Sequence, residues 1–217
     1  MKYFQSAFCI VILLVLFSFV EKKENHLSAE AVSPLAAYSS QWNETKYLNC
    51  NTAANVKYMS KAEKEVIYIL NMARMNPALF ANTVNRQYPA KSGKDHLRHS
   101  KYYRSLIATM QKMKPVNLLF PDELCYKSAN CHAAITGKKG IVGHSRTVEC
   151  ETSKYFNGEC CDYGHNKPLD ILLSFLIDEG IPTLEHRKIC MDSYKKIGVS
   201  IQPHSDYRYT AVLDFVY

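Results

Sequence analysis

Four ionisable residues in the second half of the chain have the types and the order to do chemistry together. His144 stands in Val142-Gly143-His144-Ser145, and Glu159 in Asn157-Gly158-Glu159-Cys160. Asp178 and His186 bracket the stretch Asp178-Glu179-Gly180-Ile181-Pro182-Thr183-Leu184-Glu185-His186-Arg187. Two imidazoles and two carboxylates can hold Zn²⁺ with coordination positions left open. They can run acid/base chemistry through a water, or form a buried polar network that knits layers together. The residues themselves leave all three open. Glu179 and Glu185 are rival second acids. Taken singly, His144 reads as a turn histidine, His186 as a helix cap, and Glu159 as a carboxylate satisfied by backbone amides. Arg187 is expected to pair with a local acid. No serine or cysteine stands out as a nucleophile, because Gly143-His144-Ser145 lacks the G-x-S-x-G elbow.

These residues need elements to position them. Asp178 closes an apolar helical run, Leu169 to Ile177, opened by Asn166-Lys167-Pro168. An acid at a helix C-terminus opposes the helix dipole, and such local conflicts mark functional sites. Upstream, Ser60-Lys61-Ala62-Glu63 spells a capping box, with Val66, Ile69, Leu70 and Ala73 on one face. Asn76-Pro77 restarts a helix. Asn85 to Ser100 is polar and basic and reads as loop. Tyr103 to Met113 is amphipathic. Pro121-Asp122-Glu123 opens a further helix that Gly137 should stop. Gly140 to Gly158 is turn-rich. Tyr194 to Pro203 and Arg208 to Tyr217 read as strands joined by a hairpin turn at His204-Ser205-Asp206. Helices followed by a terminal hairpin predict an α+β domain. His26, His96, His99, His165 and His204 are expected on surface loops, and His132 in the core.

The 217 residues allow one domain with extensions, and 47% hydrophobic with 22% charged residues is a globular composition. The net charge of +7 is scattered rather than striped, which excludes a nucleic-acid reader. Residues 1–20 read as a signal peptide: Lys2 precedes an apolar run from Ala7 to Val20, shorter than the about 20 residues of a spanning helix. An uncleaved anchor is the alternative and is the chain's one expected membrane contact. Residues 21–57 read as a linker or capping extension pinned by Trp42 and Tyr47, and residues 58–217 as the domain. Export, to the extracellular space or the periplasm and cell envelope, permits disulfides. Of 8 cysteines, seven lie beyond Cys9, so one is left over or links two monomers into a dimer. A bridge is expected from Cys160 or Cys161 to Cys125, Cys131 or Cys190.

The order of motifs resembles a family. Asn71-x-x-Arg74-x-x-Pro77 is followed by Cys131-His132-Ala133, Gly143-His144 and Gly158-Glu159. Ile177-Asp178-Glu179-Gly180-Ile181-Pro182, His186-Arg187-Lys188 and Ile197-Gly198-Val199 complete it. This is similar to the CAP superfamily (cysteine-rich secretory proteins, antigen 5 and pathogenesis-related 1 proteins; SCP domains), nearest its bacterial branch, over about residues 60 to 217. The resemblance implies a three-layer α-β-α sandwich whose central cleft gathers His144, His186, Glu159 and Asp178. The chain departs from the family pattern in three places. Cys160-Cys161 follows the acid, Glu185 stands where glycine precedes the histidine, and Asp178 is shorter than the usual Glu. The implied function is an exported, non-enzymatic binding or interaction module with a cleft for a divalent metal, Zn or Ca. Its partner would be a small molecule, a lipid or a protein. A metal-dependent hydrolase and a lipid- or sterol-binding module are the alternatives.

Overall fold

A computed structural model describes residues 32–217; the segment read as a signal peptide lies outside the described residues. The chain folds as an α+β domain built on a four-stranded mixed sheet. The strands are β1 (Phe120–Pro121), β2 (Gly158–Tyr163), β3 (Lys196–His204) and β4 (Arg208–Val216), in the order β1-β3-β4-β2. β3 and β4 form the expected hairpin, with Ile197 opposite Phe215 and Val199 opposite Leu213. β2 pairs antiparallel with β4 and lies at the edge of the sheet.

Side chains alternate across the sheet. Ile197, Val199, Leu213 and Phe215 face the main core, which α2 (Lys61–Met75) and α8 (Pro168–Ile177) cover. On the other face, Ser200 and Asp214 meet α6 (Glu123–Lys139) through Asn130 and Ser128. Contact between α6 and the sheet is so close that a Cβ on Gly198 would stand 2.1 Å from the Cys125 carbonyl carbon. A Cβ on Gly137 would lie 2.3 Å from the Pro203 carbonyl oxygen. Gly137 is therefore a packing residue. The helix ends at Gly140, which takes the left-handed φ of 68°.

The capping box forms as read. Ser60 Oγ accepts from the Glu63 amide at 3.3 Å, and Glu63 accepts from the Ser60 amide at 2.6 Å. Buried Glu63 also accepts from the Ile201 amide at 2.9 Å, which ties α2 to β3. Arg74 is fully buried and donates to the carbonyls of Asn117, Cys190 and Tyr194, locking the approach to β3.

From residue 32 on, the segment expected as a linker or capping extension packs as a cap on the body: Leu35, Trp42, Tyr47 and Cys50 are buried in the main core. The short helix α1 (Thr45–Leu48) presents Tyr47 to the Trp42 ring. The expected loop from Asn85 to Ser100 is largely helical. α3 (Pro77–Phe80) runs into a π-helical turn, Ala81–Asn85, then α4 (Arg86–Ser92) and a 3-10 turn, Asp95–His99, before α5 (Lys101–Lys112). Pro89 inside α4 cannot donate to the carbonyl of Asn85. The Tyr103 hydroxyl donates to that carbonyl instead, so the helix tolerates its proline.

The disulfide also differs from expectation. Cys131 on α6 bonds Cys150 on α7 (Val148–Glu151), with Cα atoms 5.6 Å apart. Cys160 and Cys161 are free and buried. As neighbours on β2 they point to opposite faces, Cys160 into the main core and Cys161 among Ala129, Ala133 and Val212 beneath α6. Neither reaches the Cys131 thiol, which α7 folds back to meet.

Candidate functional site

The structure brings His144, Glu159, Asp178 and His186 together at the β2 edge of the sheet. His144 follows α6 on one side. His186 sits on α9 (Glu185–Cys190), which packs against α8 on the other. The two imidazoles face each other, with ring centroids 6.2 Å apart and planes 32° apart. His144 Nδ1 lies 2.9 Å from Glu159 Oε1, and His186 Nδ1 lies 2.8 Å from Asp178 Oδ1. Each carboxylate thus fixes one ring by its Nδ1, the arrangement that orients metal-ligating histidines. Neither Nε2 atom has a hydrogen-bond partner among the described residues.

The awkward placement of Asp178 has a physical resolution. Asp178 caps α8 in the left-handed region, φ 56°, and Oδ2 accepts from the backbone amide of His186 at 3.0 Å. Its charge therefore serves the N-terminus of α9, where the dipole favours it. Arg187 does not pair with an acid side chain. It is buried and donates to the carbonyls of Leu176, Ile177 and Tyr102 and to Ser105 Oγ, closing the C-terminal end of α8. The rival acids stand aside. Glu179 is exposed and accepts from Ser100 Oγ, while Glu185 is exposed at the start of α9.

Beneath His144 lies a group that the sequence reading missed. The Arg146 guanidinium is buried and bonds both Glu159 and Asp214, the latter at 3.0 Å, as well as the Ser128 carbonyl at 2.8 Å. Phe156 packs against it, with the guanidinium carbon 4.7 Å from the ring centre. Burial pushes Glu159 up, but the His144 hydrogen bond and the Arg146 charge outweigh it and hold the carboxyl below its ordinary range. Asp214 goes the other way: burial, then the charge of Glu159, raise it to about 8. The hydrogen bond to Glu159 raises His144 against its partial burial.

A second ligand set adjoins the first. His132, Glu159 and Cys161 each offer a ligand atom within 4.8 Å of the others, a group that can hold a metal. Buried His132 has Nε2 3.0 Å from the Gly143 carbonyl oxygen, and its Nδ1 has no partner. Against that set, burial and the nearby Glu159 charge keep the Cys161 thiol protonated, and Arg146 already neutralises Glu159.

A cavity of about 530 Å³ opens from His186 and Asp178 along an apolar wall of Leu173, Phe175, Ile177 and Ile181. At its far side is a second imidazole–carboxylate pair. His165, expected on a surface loop, is half-buried with Nδ1 3.1 Å from Asp162, which Ser174 also bonds. That hydrogen bond raises the His165 pKa. His204, also expected on the surface, is buried. Its Nδ1 accepts from the amides of Asp206 and Tyr207, and its Nε2 meets the Ile141 carbonyl, so it builds the hairpin turn. His96 and His99 are exposed as expected. Comparison of the chain with protein-family models, curated proteins and solved structures finds no match.

Proposed function

We propose that this chain is an exported, non-enzymatic binding module of the CAP type, whose cleft holds Zn²⁺ between His144 and His186. The reading rests on one observation above the others. Both rings are oriented by carboxylates at Nδ1, leave Nε2 unengaged, and face each other at 6.2 Å. Two imidazole donors suit zinc, whereas calcium takes oxygen ligands. With both acids spent on Nδ1, no third side chain of the tetrad is free to ligate. The other positions of the ion fall to water or to a guest in the 530 Å³ cavity, which is of small-molecule size. With both Nε2 atoms on the ion and both carboxylates on Nδ1, none of the four residues is left to act as a general base, which argues against a hydrolase. The apolar wall of the cavity fits a guest with an apolar body. Helices against both faces of a mixed sheet and the order of the four residues support the CAP reading. The Cys131–Cys150 bond supports an oxidising compartment.

Calorimetric titration of Zn²⁺ into the folded chain tests the reading. One ion should bind, and His144→Ala and His186→Ala should each abolish binding. Equal binding by wild type and His186→Ala would remove the proposal. A second reading has its own support in the unpartnered Nδ1 of His132, which would place the ion with Glu159 and Cys161. His132→Ala and Cys161→Ser should then abolish binding while His186→Ala leaves it.

A further inference from the structure

We propose that the region around α4 and α5 carries a second, separate binding site, for a small polyanion: a sugar-sized ring bearing two or more phosphate or sulfate groups. A pocket of about 300 Å³ lies between the π-helical turn, the 3-10 turn and α5, lined by Arg86, Arg98 and Arg104 with Asn85, Tyr103 and Ile107. Three guanidiniums surround one small concavity. The volume is at the lower end for ligand pockets and matches a single substituted ring.

Much of the donor capacity of the arginines is unspent. The Arg86 side chain makes no hydrogen bond or ion pair among the described residues, and the Arg98 bond to Asp95 uses only Nε, at 3.1 Å. Arg104 holds the carbonyls of His99 and Arg98 through one terminal nitrogen, Nη1. That bond orients the guanidinium and leaves its other terminal nitrogen free. Planar guanidiniums with free forks recognise phosphate and sulfate oxygens in pairs. Asp95 is the one acid of this stretch, and one carboxylate does not neutralise three arginines.

The pocket is floored by a buried residue with one unpartnered polar atom. Asn85 is fully buried, and its side-chain oxygen has no donor. Its position is set by the π-helical turn, which it ends, and π-helical turns occur often at functional sites. The Tyr103 hydroxyl is committed to the Asn85 carbonyl, and the Asn85 amide nitrogen lies 3.5 Å from Met110 Sδ, so the amide oxygen alone lacks a partner. The charged substituents of the polyanion meet the exposed arginines, and Asn85 lies buried in the floor beneath them.

Titration calorimetry of the full chain tests this, with inositol hexakisphosphate as the phosphate probe, a sulfated heparin disaccharide as the sulfate probe, and uncharged inositol as the control. One equivalent of at least one charged probe should bind and inositol should not, with affinity falling as salt rises. Arg86→Gln, Arg98→Gln and Arg104→Gln should each weaken binding about tenfold or more, the loss expected when charged hydrogen bonds are removed. These side chains are exposed, so the variants should fold. Lys167→Gln removes one exposed charge elsewhere and should change little. Whichever charged probe binds more tightly identifies the substituent. Equal weakening by Lys167→Gln and the arginine variants would reduce the effect to net charge and overturn the proposal. So would the absence of one-to-one binding to both charged probes. Zinc binding at His144 and His186 should be the same in all four variants.

Discussion

Glu159 and Asp214 stand directly opposite each other on β2 and β4, two buried carboxylates with a single guanidinium, that of Arg146, bonded to both. Like charges in that position repel, and one arginine neutralises only one of them. Asp214 therefore keeps a proton up to about pH 8. The folded state binds this proton well above pH 3.8, where the unfolded chain has lost it. Its stabilising contribution is full below pH 3.8 and is lost as pH rises toward 8. Asp214→Asn, which is neutral at every pH, should melt at a higher temperature than wild type at pH 8. The gain should shrink toward pH 4, as thermal melts across that range will show.

Arg146 carries the opposite expectation. Its removal leaves Glu159 buried beside a second acid with no cation. Arg146→Met should cost about 3–5 kcal/mol, the usual penalty for breaking a buried ion pair from one side. The double variant Arg146→Met/Asp214→Asn should recover part of that loss. Urea denaturation of the two variants measures it, and equal losses would mean that Asp214 does not share the guanidinium.

The Cys131–Cys150 bond closes a loop that contains both His144 and Arg146. Cys150→Ser should cost about 3 kcal/mol by releasing that loop in the unfolded chain. Because His144 rides on the loop, zinc affinity should fall as well, whereas polyanion binding at Arg104 should not. Chemical denaturation and metal titration of Cys150→Ser check the two halves.

Zinc bound as proposed would compete with protons for the imidazoles. Glu159 raises His144 above the ordinary histidine value of about 6.5, so the protonated ring persists to higher pH and must lose its proton before it ligates. Zinc affinity should therefore decline as pH falls through the raised value, starting above pH 6.5. Glu159→Gln should move the decline to lower pH. His96→Ala, on the exposed 3-10 turn, should leave the profile unchanged. Titrations between pH 5 and 8 read all three.

Much of this arrangement was legible because it is local. The capping box at Ser60 and Glu63, the β3–β4 hairpin and the helix ending at Asp178 follow from spacing a few residues long. The four cleft residues follow from their order. Arg146 was not legible: one arginine in a turn-rich stretch has no period, and its partners are 13 and 68 residues away. Asp214 did leave a signal, a carboxylate within Ala211-Val212-Leu213-Asp214-Phe215, where a strand buried on both faces should be apolar throughout. The π-helical turn and α4 were hidden by Pro89, whose tolerance depends on a hydroxyl 14 positions downstream in Tyr103. The disulfide was misread because distances through the fold, not crowding along the chain, decide which thiols meet.

The position of β4 between β2 and β3 sets an order of assembly. β2 has no strand to pair with until β4 arrives, some fifty residues later on the chain. Until then Glu159 lacks its cross-strand neighbour, Arg146 lacks half its acids, and the His144 ring lacks a fixed carboxylate. During synthesis the helices can gather early while the cleft stays unmade. In this half-built state the four residues of the cleft are not yet brought together, so the cleft is completed only when the last strand is in place.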